Sequence, residues 1–286
     1  MPCPLCDDTG WKPVGGNGQS GGVRRVARCD CWRERQTAEN LSRAHIPARY
    51  KHCTLANVRA YNKSLTNAVE RAKHLVETFP NADRRGLLLL GLAGVGKTHI
   101  AVGLLREIIR TTGVPGLFYD TRDLLRTIRS TYDPLVRASE VTILRPVMEA
   151  PLLVLDDLGA ERPTDWVEET MNLIVNTRYN ERRITVFTSN YLDIPDNEEP
   201  NSLLSRIGFR MRSRLHEMCA IVEIDAADFR DTDKPPNATD DDLAALWKLK
   251  PREKTLPTRP YRQAKAHIRE RDGRADLKWP GGRAGS

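Results

Sequence analysis

The sequence lacks any apolar run that approaches the about 20 residues needed to cross a bilayer. Apolar runs such as Leu87–Leu90 and Leu152–Leu155 have the length of buried strands. The N-terminus, MPCPLCDDTG, has no basic region followed by an apolar stretch, and so it does not have the pattern of a secretory signal. These absences predict a cytoplasmic protein with no membrane partner.

Acidic residues are fewer than basic ones, with 38 Asp and Glu against 45 Lys and Arg. The formal net charge is +7 and the isoelectric point is about 9.2, a balance that favours an anionic partner, with nucleic acid favoured over a membrane surface. Charge alone is weak evidence, because many basic proteins bind nothing anionic. The chain also has no visible internal repeat.

Composition divides the chain into four segments. Residues 1–35 form a small module with paired cysteines around the flexible loop GGNGQSGG, and residues 36–50 are a polar linker or short helix. Residues 51–230 alternate helices with short apolar strands, which predicts a parallel α/β sheet. Residues 231–286 are rich in proline and charge, which predicts a disordered tail; within it, DDLAALWKL could form one short amphipathic helix.

The α/β segment contains five candidate strands and one strongly periodic helix. The helix is predicted from Thr98 to Arg110, where apolar residues recur at helical spacing. The candidate strands are Leu87–Leu90, Leu117–Tyr119, Leu152–Leu155, Ile184–Thr188 and Ala220–Ile224.

A phosphate-binding loop follows the first of these strands. The segment from residue 91 to 98, GLAGVGKT, fits the P-loop pattern in full and opens the predicted helix. Gly91, Gly94 and Gly96 allow backbone angles that side chains forbid, so that N–H groups converge on phosphate oxygens at a helix N-terminus. Lys97 is expected to neutralise the β- and γ-phosphates of ATP, and the Thr98 hydroxyl to bind Mg²⁺.

Two later strands carry polar residues at their carboxyl ends. PLLVLDDL has the form of a Walker B strand, in which Asp156 holds Mg²⁺ and Asp157 orients or deprotonates the attacking water. ITVFTSN ends in Asn190, which could position that water or contact the γ-phosphate. Asparagine also favours turns, so an ordinary turn residue is the alternative role of Asn190.

The N-terminal cysteines have the spacing of a metal site. Cys3 and Cys6 form a CxxC pair, and Cys29 and Cys31 form a CxC pair. Four thiolates satisfy tetrahedral Zn²⁺, and a metal could supply the folding energy that so small a module lacks. Free surface thiols or a redox pair are the alternatives.

The remaining candidate ligands do not suggest a second metal site. Cys53 and Cys219 are expected to be buried small apolar residues. The six histidines are scattered along the chain.

Together, the P-loop, the Walker B strand and the sensor-one amide resemble the AAA+ ATPases. More closely, the chain resembles the DnaC/DnaI-type replicative helicase loaders and the related transposition helper IstB over residues 46 to about 230. The stretches that carry this resemblance are HIPARYKHCTLANV, LLVLDDLG with NTRYNERRITVFTSN, and SRIGFRMRSRLHEMCAIVEIDAADFR. Zinc-bearing N-terminal regions of some DnaI-type loaders agree with the cysteine pairs.

The resemblance implies roles that spacing alone does not. In such proteins an arginine reaches the ATP of a neighbouring subunit; the matching position is Arg214, with Arg210 nearby, although an arginine that only solvates a helix surface is the alternative. Asp157 stands where most AAA+ proteins have glutamate, which predicts slow hydrolysis. The chain after Arg230 offers no convincing helical lid, and no sensor-two arginine is assigned.

A basic stripe lies between the second strand and the Walker B strand. Arg122, Arg126 and Arg129 recur at helical spacing, in a region where initiator-type AAA+ proteins carry an additional helix that faces single-stranded DNA. Such a stripe could track a phosphate backbone. The alternative is a solvated amphipathic helix.

Three hypotheses follow from these features. The first is a helicase loader that binds ATP, Mg²⁺ and single-stranded DNA, associates with copies of itself through Arg214, and delivers a replicative helicase, with the cysteine module as the helicase-binding arm. The second is an IstB-like regulator that recruits a transposase to duplex DNA. The third is a nucleotide-dependent binding module with negligible turnover.

Overall fold

The elements of the protein were located in a computed structural model that describes residues 2–13, 26–80, 85–132, 139–194, 202–230 and 239–249. The strands are β1 (Trp11–Pro13), β2 (Val26–Arg28), β3 (Gly86–Leu90), β4 (Gly116–Asp120), β5 (Leu152–Asp156), β6 (Ile184–Ser189) and β7 (Cys219–Glu223). The helices are α1 (Asp30–Arg43), α2 (Lys63–Thr78), α3 (Lys97–Thr112), α4 (Thr121–Ser130), α5 (Glu140–Glu149), α6 (Asp165–Asn180), α7 (Leu203–Met218) and α8 (Asp240–Leu249), with a short 3₁₀ helix at Ala48–Tyr50.

The five predicted strands form one parallel sheet in the order β4-β5-β6-β3-β7. Parallel pairing brings the carboxyl ends of all five strands to one edge. The first strand, β3, lies between β6 and β7, so the loop that follows it emerges beside the end of β6. The predicted fold class, a parallel five-stranded P-loop sheet between helices, is therefore confirmed.

Alternation along β3 explains why its sequence is apolar throughout. Leu87 and Leu89 pack into an apolar cluster with α2 and α3, whereas Leu88 and Leu90 pack into a second cluster with α4 to α7. A strand that is covered by helices on both faces has no solvent-facing positions. The sheet is therefore packed between two layers of helices, and the loops at its carboxyl edge extend from this buried core.

Two smaller features lie outside the sheet. The antiparallel pair β1–β2 precedes α1, which begins within the predicted cysteine module and continues into the predicted linker. Helix α8 coincides with the predicted DDLAALWKL helix. The rest of the predicted tail, 231–238 and 250–286, lies outside the described residues, as does the GGNGQSGG loop. In the part of the chain that is described, no helix is both long and apolar enough to span a membrane.

Candidate nucleotide site

The predicted P-loop connects β3 to α3 at the carboxyl edge of the sheet. Gly94 has φ +80° and Gly96 has φ +98°, and Gly96 is the N-cap of α3. These left-handed angles turn successive backbone N–H groups toward the space above the helix N-terminus, where the helix dipole favours an anion. The loop therefore has the backbone form that cradles a phosphate.

Lys97 points into the loop and is buried, with 6% of its surface exposed. Its ammonium group donates hydrogen bonds to the carbonyl oxygens of Gly91 (2.8 Å) and Leu92 (2.7 Å) and to Oδ1 of Asn190 (2.7 Å). Burial lowers the pKa of Lys97 to about 8, and the nearby carboxylates of Asp156 and Asp157 oppose this shift. A cation is thus held beside the point where the loop would receive phosphates.

Asp156 closes the other side of this space. Its carboxylate accepts hydrogen bonds from the hydroxyl of Thr98 (2.9 Å and 3.1 Å) and from the hydroxyl of Thr188 (2.6 Å). Burial raises the pKa of Asp156, and the two hydroxyls oppose that shift. A hydroxyl and a carboxylate in contact are the oxygen ligands that Mg²⁺ takes beside nucleotide phosphates, so Thr98 and Asp156 fit such an ion.

Asp157 and Asn190 complete a polar chain that leads from the P-loop to the Walker B strand. Asn190 donates through Nδ2 to the Asp157 carboxylate (2.5 Å) while it accepts from Lys97. The Asp157 backbone has φ +58°, and its N–H donates to the Thr188 hydroxyl (2.9 Å). Burial raises the pKa of Asp157, as does the negative charge of Asp120 to a smaller extent. The hydrogen bond from Asn190 holds the Asp157 carboxylate at the wall of the space for the phosphates.

These side chains share one cavity of about 620 Å³, which is large enough for a nucleotide. Besides the residues above, the cavity is lined at another part of its wall by apolar and aromatic groups: Pro47, Tyr50, Val58, Leu65 and Phe118. Three of these, Pro47, Tyr50 and Val58, belong to the segment HIPARYKHCTLANV, one of the stretches that carry the resemblance to the helicase loaders. The cavity thus combines charged and apolar lining groups, which suit the phosphates and the base of a nucleotide.

A segment after β7 also borders the cavity, although the sequence analysis assigns it no role at the nucleotide site. The Phe229 N–H donates to the Gly94 carbonyl (3.0 Å), and the Asp228 carboxylate lies so close to Gly94 that a Cβ there would stand 1.6 Å from it. Arg230 lines the same cavity. Thr188, which bridges the two aspartates, was also missed; its position two residues before Asn190 on the same strand was the available signal.

Arg214 lies on α7 and is not among the residues that line this cavity. Helix α7 is broken at Gly208 (φ +77°), and beyond the break Arg214 and Arg210 line an open groove against the acidic helix α6. Arg214 donates to the Arg210 carbonyl (3.2 Å) and makes no ion pair with any described residue. By contrast, the neighbouring Arg212 is bound to Asp193 (2.5 Å).

The four predicted cysteine ligands converge in the N-terminal module. Their sulfur atoms all lie within 4.8 Å of one another, with Cys3 3.8 Å from Cys29 and Cys6 3.2 Å from Cys31. Sulfurs that each lie about 2.3 Å from one Zn²⁺ ion are separated by comparable distances, so this donor set fits the ion. Cys53 and Cys219 are buried in the apolar clusters, as predicted.

The predicted basic stripe is exposed along α4, but its charges are partly engaged. Arg122 pairs with Glu161 (3.4 Å) and Arg126 with Asp123 (3.0 Å). The Arg129 guanidinium lies 4.5 Å from the ring of Trp166. Exposed pairs of this kind are weak, so a polyanion could displace them.

Comparison with known proteins gives one family and several relatives. The family model for IstB-like ATP-binding proteins matches residues 26–235. The phage-like element PBSX protein XkdC of Bacillus subtilis (strain 168) is 26% identical over 228 residues, which cover 76% of this chain and 79% of that protein. The replicative helicase loader DnaC of Escherichia coli (strain K12) is 25% identical over 195 residues, which cover 68% and 77%.

Among solved structures, the crystal structure of the DnaC helicase loader is similar to this chain with a TM-score of 0.56 and 34% identity. The likeness covers 62% of this chain and 99% of that one. The resemblance to this group of ATPases that the motifs predict is therefore confirmed.

Proposed function

The chain belongs to the family of IstB-like ATP-binding proteins, and we propose that it is an ATP-dependent helicase loader. In this proposal it binds ATP, Mg²⁺ and single-stranded DNA and delivers a replicative helicase to the DNA. The observation that carries the proposal is the likeness to the DnaC helicase loader, which extends over 99% of the crystallised chain at 34% identity. The cavity beside the P-loop supplies the site where ATP would act.

The proposed roles in the ATP site follow from its contacts. Lys97 neutralises the β- and γ-phosphates, and Thr98 with Asp156 holds Mg²⁺, which would supply charge neutralisation at the phosphates. Asp157 orients or deprotonates the attacking water, since Asn190 fixes its carboxylate by a hydrogen bond. Arg230, which lines the same cavity, is proposed to add positive charge near the phosphates. Slow hydrolysis is expected, because aspartate reaches one methylene less far than glutamate.

Arg214 is proposed to act on the nucleotide of a neighbouring copy. Three observations support this role: it lies away from the cavity of its own chain, it has no ion-pair partner among the described residues, and its neighbour Arg212 is already held by Asp193. A guanidinium that approaches the γ-phosphate from another subunit stabilises the charge of the transition state. Hydrolysis would then depend on self-association.

Two further parts of the proposal concern partners and metal. The stripe of Arg122, Arg126 and Arg129 is proposed to contact single-stranded DNA. The cysteine module is proposed to bind one structural Zn²⁺ and to serve as the helicase-binding arm. If the stripe contacts DNA, changing Arg126 and Arg129 together to alanine should lower the slope of log affinity against log salt concentration. An unchanged slope would show that these arginines are solvated and do not contact DNA.

A loading assay tests the main proposal. The purified replicative helicase of the same organism is mixed with closed single-stranded DNA circles, with ATP and with the protein, and helicase retained on the circles after a salt wash is measured. Retention should rise with the wild-type protein and should not rise with Lys97→Ala. Equal retention with and without the protein would reject the loader function.

The family match favours one alternative, an IstB-like helper that recruits a transposase. That function requires duplex DNA, so the two proposals differ in DNA preference. A clear preference for duplex over single strands, together with retention of a purified transposase and not of the helicase, would establish the alternative. A third possibility, a binding module with negligible turnover, predicts ATP binding with no hydrolysis above that of Asp156→Asn under any DNA condition.

A further inference from the structure

The cysteine module carries a cluster of tryptophan and arginine side chains that none of these roles uses. The Arg28 guanidinium carbon lies 4.0 Å from the centre of the Trp11 ring and 4.3 Å from the centre of the Trp32 ring. One cation is therefore stacked against two indoles, an arrangement that fixes all three side chains. Such cation–π contacts are attractive and hold the guanidinium against both rings.

Strand pairing places this cluster on one exposed face. Trp11 pairs with Arg28, and Pro13 pairs with Val26, so these alternate positions share one side of the β1–β2 ribbon. Large fractions of Trp11 (45%), Val26 (57%) and Trp32 (38%) are exposed to solvent. We call the surface formed by Trp11, Val26, Arg28 and Trp32 the tryptophan face.

Among the described residues, the carboxylates near the tryptophan face are paired with other cations and not with Arg28. The carboxylate of Asp30 is bound to Lys12 (2.7 Å), and that of Asp8 is bound to Arg35. Arg28 makes no ion pair with any described carboxylate. The face therefore combines two aromatic platforms with a guanidinium that is not neutralised by the module.

We propose that the tryptophan face binds single-stranded nucleic acid, with bases stacked on Trp11 and Trp32 and a phosphate bound by Arg28. Bases stack on exposed aromatic rings and on guanidinium planes, and this stacking needs unpaired bases. The face is thus a second nucleic-acid surface, separate from the arginine stripe on α4. It requires neither ATP nor the residues of the nucleotide cavity.

The central cation distinguishes this partner from an apolar protein surface. Burial of Arg28 in an apolar contact would remove its hydration without supplying a counter-charge, which is costly. A nucleic-acid backbone supplies that counter-charge next to bases that can cover the indoles.

The test measures binding of a fluorescein-labelled oligothymidylate to the full chain by fluorescence anisotropy, without ATP and in a zinc-containing buffer. The double variant Trp11→Ala/Trp32→Ala should bind about tenfold more weakly or worse, because each stacked base contributes substantially to affinity. Trp11→Phe/Trp32→Phe should retain most of the affinity, since phenylalanine still stacks. Leu5→Ala is the matched control, because Leu5 is an exposed (59%) apolar residue of the same module without an aromatic ring.

Arg28→Ala provides an independent readout that keeps both indoles. It should lower the magnitude of the salt slope of oligothymidylate binding by about one, since one phosphate contact is lost. Zinc content is measured for every variant, so that a loss of the module's fold is recognised; in that case the phenylalanine variant and Arg28→Ala decide the question.

Two results would overturn the proposal. In one, the double alanine variant keeps its metal and binds oligothymidylate within about twofold of wild type. In the other, it binds the oligonucleotide normally but no longer retains the purified helicase, which would make the tryptophan face a protein-docking surface. The loading assay described above depends on ATP and this test does not, so failure of one proposal leaves the other to be judged separately.

Discussion

Three side chains of the nucleotide site act as one hydrogen-bonded unit. Lys97 donates to Asn190, and Asn190 donates to Asp157. Because the Asn190 amide uses its oxygen for one partner and its nitrogen for the other, its orientation is fixed by both ends. A phosphate that draws Lys97 toward itself would therefore also affect the position of Asp157, which links nucleotide binding to the group proposed to act on water.

Lys97→Ala and Asp156→Asn should separate binding from hydrolysis. Hydrogen bonds to charged groups contribute about 1.5–3 kcal/mol, so Lys97→Ala should weaken ATP binding by about 10- to 100-fold. Asp156→Asn removes a charge that acts through Mg²⁺, and hydrolysis should fall about 100-fold or more while affinity changes much less. Calorimetry for affinity and phosphate release for turnover measure the two effects. Equal losses of affinity in both variants would contradict the assigned roles.

ATP affinity should decrease at alkaline pH. Burial lowers the pKa of Lys97 to about 8, and only the protonated amine attracts phosphate. Bound phosphate raises that pKa, so binding takes up a proton above pH 8: affinity should be constant below about pH 7 and should fall by up to about tenfold per pH unit as pH rises through 8. In Lys97→Ala this dependence should be absent. Affinity that rises with pH over this range would show that Lys97 is not the titrating group.

The sequence reveals the residues of this site whose spacing is local, and it misses those that tertiary structure brings in. Gly94, Lys97 and Asp156 belong to contiguous motifs, and the structure places them together. Phe229 and Arg230 reach the cavity only because β7 lies beside β3 and the chain after β7 passes the P-loop, where the Phe229 N–H donates to the Gly94 carbonyl. No periodicity or motif in the segment after β7 encodes that approach.

At the scale of elements, a buried arginine joins three of them. Arg178 of α6 is fully buried, and its guanidinium donates five hydrogen bonds. The acceptors are carbonyl oxygens at the end of α5 and before β5, at Val147, Met148 and Ala150, together with the Ile184 carbonyl and the Thr185 hydroxyl of β6. A cation at a helix C-terminus also complements the helix dipole.

Arg178→Met should destabilise the fold strongly, although Met replaces the aliphatic part of the arginine side chain. The change leaves several buried carbonyl groups without donors, and a loss of about 3 kcal/mol or more in the free energy of unfolding is expected. Urea unfolding followed by circular dichroism measures this loss. Arg126→Met on the exposed side of α4 is the matched control and should change stability by less than about 0.5 kcal/mol. Similar midpoints for the two variants would contradict the capping role of Arg178.

Element positions could be predicted where the apolar pattern is strong. The five strands can be predicted because each is a short apolar run bounded by polar or turn residues. The break in α7 at Gly208 cannot be predicted in this way. The stretch from Leu203 to Met218 keeps helical spacing of apolar residues across Gly208, so periodicity alone does not reveal the left-handed angle there. Arg178 was missed as a core residue for the opposite reason: it follows Met171, Ile174 and Val175 at core spacing, but a charged residue is expected to face solvent.

At the scale of the whole molecule, we predict that Zn²⁺ bound by the four cysteines stabilises the N-terminal module. Purified protein should contain about one zinc per chain, and Cys3→Ser should lower that content because three thiolates bind less tightly than four. ATP binding should be unchanged in this variant, since the nucleotide cavity contains no residue of the module. Elemental analysis and calorimetry provide the two measurements. A metal-free preparation with an equally ordered module would reject structural zinc.

In the proposed mechanism, self-association would bring α7 of one copy to the nucleotide site of another. Arg214 lies outside the cavity of its own chain, so its removal should leave ATP binding to a monomer intact and should reduce hydrolysis or ATP-dependent assembly. In other nucleotide hydrolases, an arginine finger raises the rate of hydrolysis by about 10³–10⁵-fold. A slow ATPase is expected to show a smaller effect.

The most direct test of this central claim mixes two inactive variants. Arg214→Ala protein retains a working nucleotide cavity, and Lys97→Ala protein retains the arginine. At a mixed interface the second protein can supply its Arg214 to ATP bound by the first, so DNA-stimulated phosphate release should recover to a level that neither variant reaches alone. If mixing restores no hydrolysis, while both variants still fold and associate, Arg214 does not act between subunits and the proposed link between assembly and ATP hydrolysis is wrong.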